Sequence, residues 1–157
     1  MTAWWLLEDL KDRLYTEFQD YQLKNETGTL ATLNIYLQNL PGSGPNGDDP
    51  VFPYVAIRIM QTQDFDWETA YADILFVIGV YDEDSDYQGY KDVMNIQEKI
   101  RQNLCRDHML NERYELVWPL TALPSDDFSD SAYPYFFGAV EARYKIPVIP
   151  QDLRDFD

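Results

Sequence analysis

The chain has 157 residues, enough for one ordinary domain and short for two. Hydrophobic residues make up 45% of it and aromatics 15%, including twelve tyrosines, a composition that argues against a disordered chain and for aromatic surface beyond what a core needs. Twelve basic against 28 acidic residues give a net charge of -16, so the surface on average repels phosphate and anionic lipid and makes a nucleic-acid-gripping groove improbable.

Thr2 can cap a helix in which Leu7, Leu10, Leu14, Phe18 and Tyr21 line one face, with Glu8, Asp9, Lys11, Asp12, Arg13 and Glu17 mostly on the other; the spacing carries it to about Asn25, with Gly28 as the break. The same N-terminus, MTAWWLLEDLKD, lacks the basic segment of a signal peptide. From Thr29 to Leu40, Leu33, Ile35 and Leu37 alternate with Thr32, Asn34, Tyr36 and Gln38 as in a half-buried strand. PGSGPNGDDP, residues 41–50, has no periodicity and reads as a long exposed loop.

Val55, Ile57 and Ile59 resume a strand, Thr62–Glu68 turns it, and Thr69–Tyr81 returns apolar on both faces, which places it mid-sheet. Its apolar run, Ile74 to Val80, is too short to span a bilayer, and the chain reads as soluble and unexported. A second helix is expected over Asp86–Asp107, with Tyr90, Val93, Ile96, Ile100 and Leu104 on its stripe. The lone Cys105 on this helix cannot form an internal disulfide and reads as a small packing residue; His108, near the helix end, reads as a surface residue opposing the helix dipole. Tyr114–Leu120 is a short strand, Pro124–Ser131 a polar linker, and Tyr135–Ile146 a strand with Phe136, Gly138, Val140, Ala142, Tyr144 and Ile146 inward. Pro147 and Pro150 end the pairing before a charged tail, 151–157.

The expected architecture is therefore a single α+β domain over 1–150: a mostly antiparallel sheet of about five strands with two helices packed on one face, in the order α-β-β-β-α-β-β.

Candidate chemistry is sparse. In YDEDSDYQGY, residues 81–90, Asp82, Asp84 and Asp86 match the first, third and fifth positions of an EF-hand loop. Its sixth and twelfth positions hold Tyr87 and Val93 in place of the turn-forming Gly and the bidentate Glu, so a metal-binding domain or enzyme built on this loop is the weaker reading. Ser85-x-x-Gln88 has the form of a capping box, and acids there complement a helix N-terminus. No GxSxG, HExxH, CxxC or phosphate-binding Gly loop is present, so neither catalytic residues nor a cofactor are assigned. Phe65 and Trp67, between Asp64, Asp66 and Glu68, would present aromatics at a hairpin tip, either as a contact surface or folded back onto the core.

The segment DEDSDYQGYKDVMNIQEKIRQNL, residues 82–104, after an apolar strand and before a short Trp-containing one, resembles the tail terminator or tail-completion proteins of long-tailed bacteriophages. LPGSGPNGDDPVFPYVAIRI, residues 40–59, resembles their loop and following strand, and the likeness covers about residues 33–146. It implies a non-enzymatic subunit that assembles with itself, usually as a six-membered ring (a homo-hexamer), on the tail tube protein. The ring stops tube growth and offers the head connector protein a docking surface, in a virion assembled in the host cytoplasm without a membrane. Tyr87, Gly89, Tyr90 and Trp118 would be structural, and Pro41, Asn46, Asp48, Asp49, Phe52, Phe65 and Trp67 are the candidate partner-interface residues. A head-tail joining, or neck, protein is the alternative within virion proteins. An acidic lumen would let DNA pass without specific binding, its repulsion fading over a Debye length of about 8 Å. The high charge and the segment beyond Ile146 depart from the pattern.

Overall fold

The computed structural model describes residues 2–40, 51–83, 89–124 and 133–148. Helix α1, Thr2–Glu17, buries Leu6, Leu7, Leu10 and Leu14, with Phe18 just beyond its end. It stops well short of Asn25 because the next residues pair elsewhere. Strand β1, Gln22–Lys24, forms an antiparallel ribbon with β2, Leu30–Thr32. Asn25 organises the turn between them: its Oδ1 accepts the N–H groups of Thr27 and Thr29 at 3.0 and 3.1 Å and the Thr27 hydroxyl at 2.7 Å. An Asn side chain that satisfies nearby backbone donors competes with helix, and here the turn wins.

The expected strand over 29–40 is likewise divided. Leu33 turns into the core, and only β3, Asn34–Leu37, enters the main sheet, alongside β4, Tyr54–Asp64. These two run parallel, not antiparallel, with Asn34 opposite Tyr54, because the 16 residues between them make a crossover and not a hairpin. Strand β5, Ala70–Tyr81, follows β4 through a tight turn. Helix α2, Gly89–Arg106, then crosses to β6, Met109–Leu110; β7, Tyr114–Pro124, and β8, Tyr135–Ile146, complete the sheet. Its order is β3-β4-β5-β8-β7-β6, six strands plus the separate ribbon. The fold is α+β and mostly antiparallel, with more strands and a different order than the five expected; β1 and β6 are too short to show a period.

Both helices cover the same face. Val55 and Ile57 of β4, Ile74, Phe76, Ile78 and Val80 of β5, and Val140, Ala142 and Tyr144 of β8 meet the α1 leucines and the α2 stripe Val93, Ile96, Ile100 and Leu104. Within the described residues α2 begins at Gly89, later than Asp86, and Ser85 and Gln88 lie outside them. Gly89 is obligatory for its contact, since a Cβ there would stand 2.1 Å from the Phe136 ring, and Tyr90 packs edge-on against the same ring. Buried Gln97 crosses from α2 to the sheet, donating to the carbonyls of Leu123 and Ala139 at 3.1 and 3.0 Å. Cys105, expected to pack, is exposed. No described helix is long and apolar enough to cross a membrane.

Arg13, placed by spacing on the polar side of α1, reaches the end of α2. Its guanidinium donates to the carbonyl of Asp107 at 2.8 Å and to that of Asn103, two acceptors the helix C-terminus leaves open. Arg13→Ala should therefore lower unfolding free energy by about 2 kcal/mol. In denaturant titration the midpoint falls while the slope stays the same.

Candidate interaction surface

Helices cover one face of the sheet, and the other carries three kinds of surface in succession. At the end where β4 begins and β5 finishes, Phe52 folds across Gly79. Its ring lies 5.0 Å from Tyr54, 4.9 Å from Tyr135 and 6.0 Å from Phe137, centroid to centroid, and Tyr81 stacks on Tyr135 at 5.4 Å. The backbone before β4 is held for this purpose: Glu26 accepts the Phe52 N–H at 2.7 Å and the Val51 N–H at 3.2 Å, and Asn34 Nδ2 donates to the Val51 carbonyl. Phe52 is thus engaged within the chain. A Cβ on Gly79 would stand 2.2 Å from the Tyr54 ring and 2.8 Å from Phe52.

Beyond a middle zone of Ala56, Leu75, Val77 and Ala139, the face turns polar. Arg143 forms a forked pair with Asp73, 2.7 Å from Nε to Oδ1 and 3.2 Å from Nη2 to Oδ2; Gln61 donates to the same carboxylate, and the guanidinium lies 5.2 Å from the Tyr71 centroid. The Arg143 hydrogen bond, ahead of its charge, holds the Asp73 carboxyl below the ordinary range.

At this level both neighbouring strands bulge. The β4 register slips between Ile59 and Gln61, and the β7 register between Val117 and Thr121, opposite Arg143 and Glu141. The displaced residues, Met60 on one side and Trp118 and Pro119 on the other, wall a groove of about 560 Å³ floored by the Asp73–Arg143 pair. Trp118, read from sequence as structural, is 60% exposed on its rim, and Met60 is 59% exposed.

The hairpin between β4 and β5 extends past this groove. Phe65 and Asp66 donate their N–H groups to the Thr69 carbonyl, and Asp66 Oδ1 accepts the Glu68 N–H at 2.8 Å, which closes a tight tip. Phe65 and Trp67 are 68% and 64% exposed on it, so they do not fold back. Of the remaining candidate interface residues, Pro41, Asn46, Asp48 and Asp49 lie outside the described residues, as do Asp84, Asp86 and Tyr87. Asp82 is anchored through its N–H to the Pro134 carbonyl, and among the described residues no three His, Cys, Asp or Glu side chains converge as metal ligands. Asp82, Glu83 and Asp92 line a smaller cavity of about 270 Å³ beside Lys24; burial, and secondarily the Asp82 charge, raises the Asp92 pKa. His108 is exposed at the helix end, as expected, and its carbonyl accepts the Leu116 N–H.

No protein-family model and no curated protein matches this sequence.

The aromatic end of the open face yields two expectations. Gly79→Ala should displace Phe52 and Tyr54 at a cost of about 1–3 kcal/mol and weaken the near-ultraviolet circular dichroism of these rings. Burial pushes the Tyr54 pKa from 10.0 up to about 12. With the folded pKa above the unfolded one, the associated stability is complete below pH 10.0 and is lost as pH rises toward about 12. Denaturant midpoints measured across that interval should fall steadily in the wild type and less in Tyr54→Phe.

Proposed function

We propose that this chain is a structural virion protein that caps the phage tail tube as a ring and offers the docking surface for the head. Its work is association, without catalysis. The observation that carries this reading is the separation of its exposed surface into two places: a sheet face that no described helix covers, and an aromatic hairpin tip extending beyond it. A subunit that presents two different surfaces can join copies head to tail, and such joining closes into a ring when the rotation between copies permits. The likeness of residues 82–104 and 40–59 to tail terminator proteins supports the placement in a tail, and the crossover and hairpin fall within the span of that likeness.

The charge fits the same role. A chain of net charge -16 that surrounds passing DNA repels its phosphates and leaves the duplex free to move. In this reading the partners are copies of the chain, the tail tube protein and the head connector protein.

Deleting the gene from the parent phage tests the reading. The expected result in electron micrographs is tails of uncontrolled length that carry no heads. Tails of normal length beside unattached, DNA-filled heads would instead assign the neck position, and normal virions would remove both assignments.

A further inference from the structure

We propose that the groove between Met60 and Trp118 receives the Phe65–Trp67 hairpin tip of a second copy of this chain. The inference rests on the reading of the chain as a self-assembling subunit and names the two surfaces that meet.

The groove first needs an occupant that is apolar and compact. Its apolar walls are exposed Met60, Trp118 and Pro119 and half-buried Val117 around the polar Asp73–Arg143 floor, and its volume of about 560 Å³ falls within the roughly 300–1,000 Å³ of pockets that take drug-sized ligands. Two aromatic side chains fit within such a space. On the same molecule the tip presents two, Phe65 and Trp67, on a turn closed by its own hydrogen bonds and so ordered before contact.

The tip cannot occupy its own groove. Gln61 pairs with Asp73, and pairing continues without a break to Asp64 opposite Ala70. This ladder holds the tip about 10–13 Å past the groove at roughly 3.3 Å per residue. A tip that enters this groove therefore comes from another molecule.

Charge suits the open face for a copy of the same chain better than the average surface of a chain of net charge -16 does. The strand side chains directed to the open face include three bases, Arg58, Arg143 and Lys145, and three acids, Asp73, Glu115 and Glu141, so the face is neutral on a chain of net charge -16. The incoming tip carries Asp64, Asp66 and Glu68 and meets less repulsion from this neutral face than from a surface with the chain's average negative charge. Because groove and tip are different surfaces, the contact is heterologous, and each copy has one of each.

Two variants at exposed positions separate the surfaces: F65S/W67S removes the tip, and Met60→Glu puts a negative charge into the groove. Each should keep the wild-type thermal midpoint. By native mass spectrometry the wild type should form closed multimers, and each variant alone should lose every species above monomer. An equimolar mixture should recover one intact contact and stop at a 1:1 dimer. Multimers that persist in either variant overturn the contact and leave the ring reading in place. A wild type that stays monomeric up to ~1 mM, where even a weak contact would show, overturns the contact itself. Normal virions after gene deletion remove the tail assignment and leave the contact untouched.

Discussion

Strand β5 is hydrogen-bonded to β4 on one side and to β8 on the other, with pairing from Ala70 to Tyr81, and the rest of the fold follows from that double ladder. A strand paired on both edges can present its side chains only to the two sheet faces. Its sequence is apolar toward both. The two described helices, each with one apolar stripe, both cover the same one, so Ile74, Phe76, Ile78 and Val80 enter the core while Leu75, Val77 and Tyr81 are half-buried on the open face. That face is managed in part from within the chain: Phe52 folds over the aromatic end, and the Asp73–Arg143 fork pins the polar end. Between them remains surface suited to a partner.

The two bulges deepen the consequence. A bulge leaves ladder groups unpaired and bends its strand, and such features gather at sheet margins, where they limit pairing with stray strands. Here β3 covers β4 only as far as Ile57, and β6 covers β7 only over Tyr114 and Glu115, so each bulge begins where an outer strand has ended. The sheet is thus narrowed to its four central strands at the level of Asp73, with an exposed side chain displaced on each side. The device that protects an edge also builds the groove.

How much of this was legible in the sequence depends on the length scale of each signal. The β8 boundaries, the central position of β5 and the α2 stripe were readable because their apolar periods persist over ten or more residues. The β1–β2 ribbon was hidden inside a period that Leu14, Phe18 and Tyr21 continue past the end of α1; the residues that follow pair instead as a ribbon, around a turn whose donors the Asn25 side chain accepts. The parallel pairing of β3 with β4 was hidden because alternation is the same in both directions. Phe65 and Trp67 were readable as a hairpin tip, whereas the groove was not, since Met60, Asp73, Trp118 and Arg143 come from four strands and meet only through register. The Trp118-Pro119 pair did contain a clue, because a proline inside a strand implies an edge or a bulge.

Acidity and the proposed self-association place opposite demands on one chain. At -16 the long-range force between two copies is repulsive, so lasting contact requires surface where charge is balanced locally and apolar area is available. The open face meets both conditions because its three bases and three acids balance, with Arg143 and Asp73 in direct contact, and they lie beside half-buried Leu75, Val77 and Ala139. The acids in excess lie elsewhere, on the outward side of α1 and in the segments that join the strands. A surface divided in this way is negative over most of its extent and neutral on one face, which is the combination the proposed ring around DNA would need.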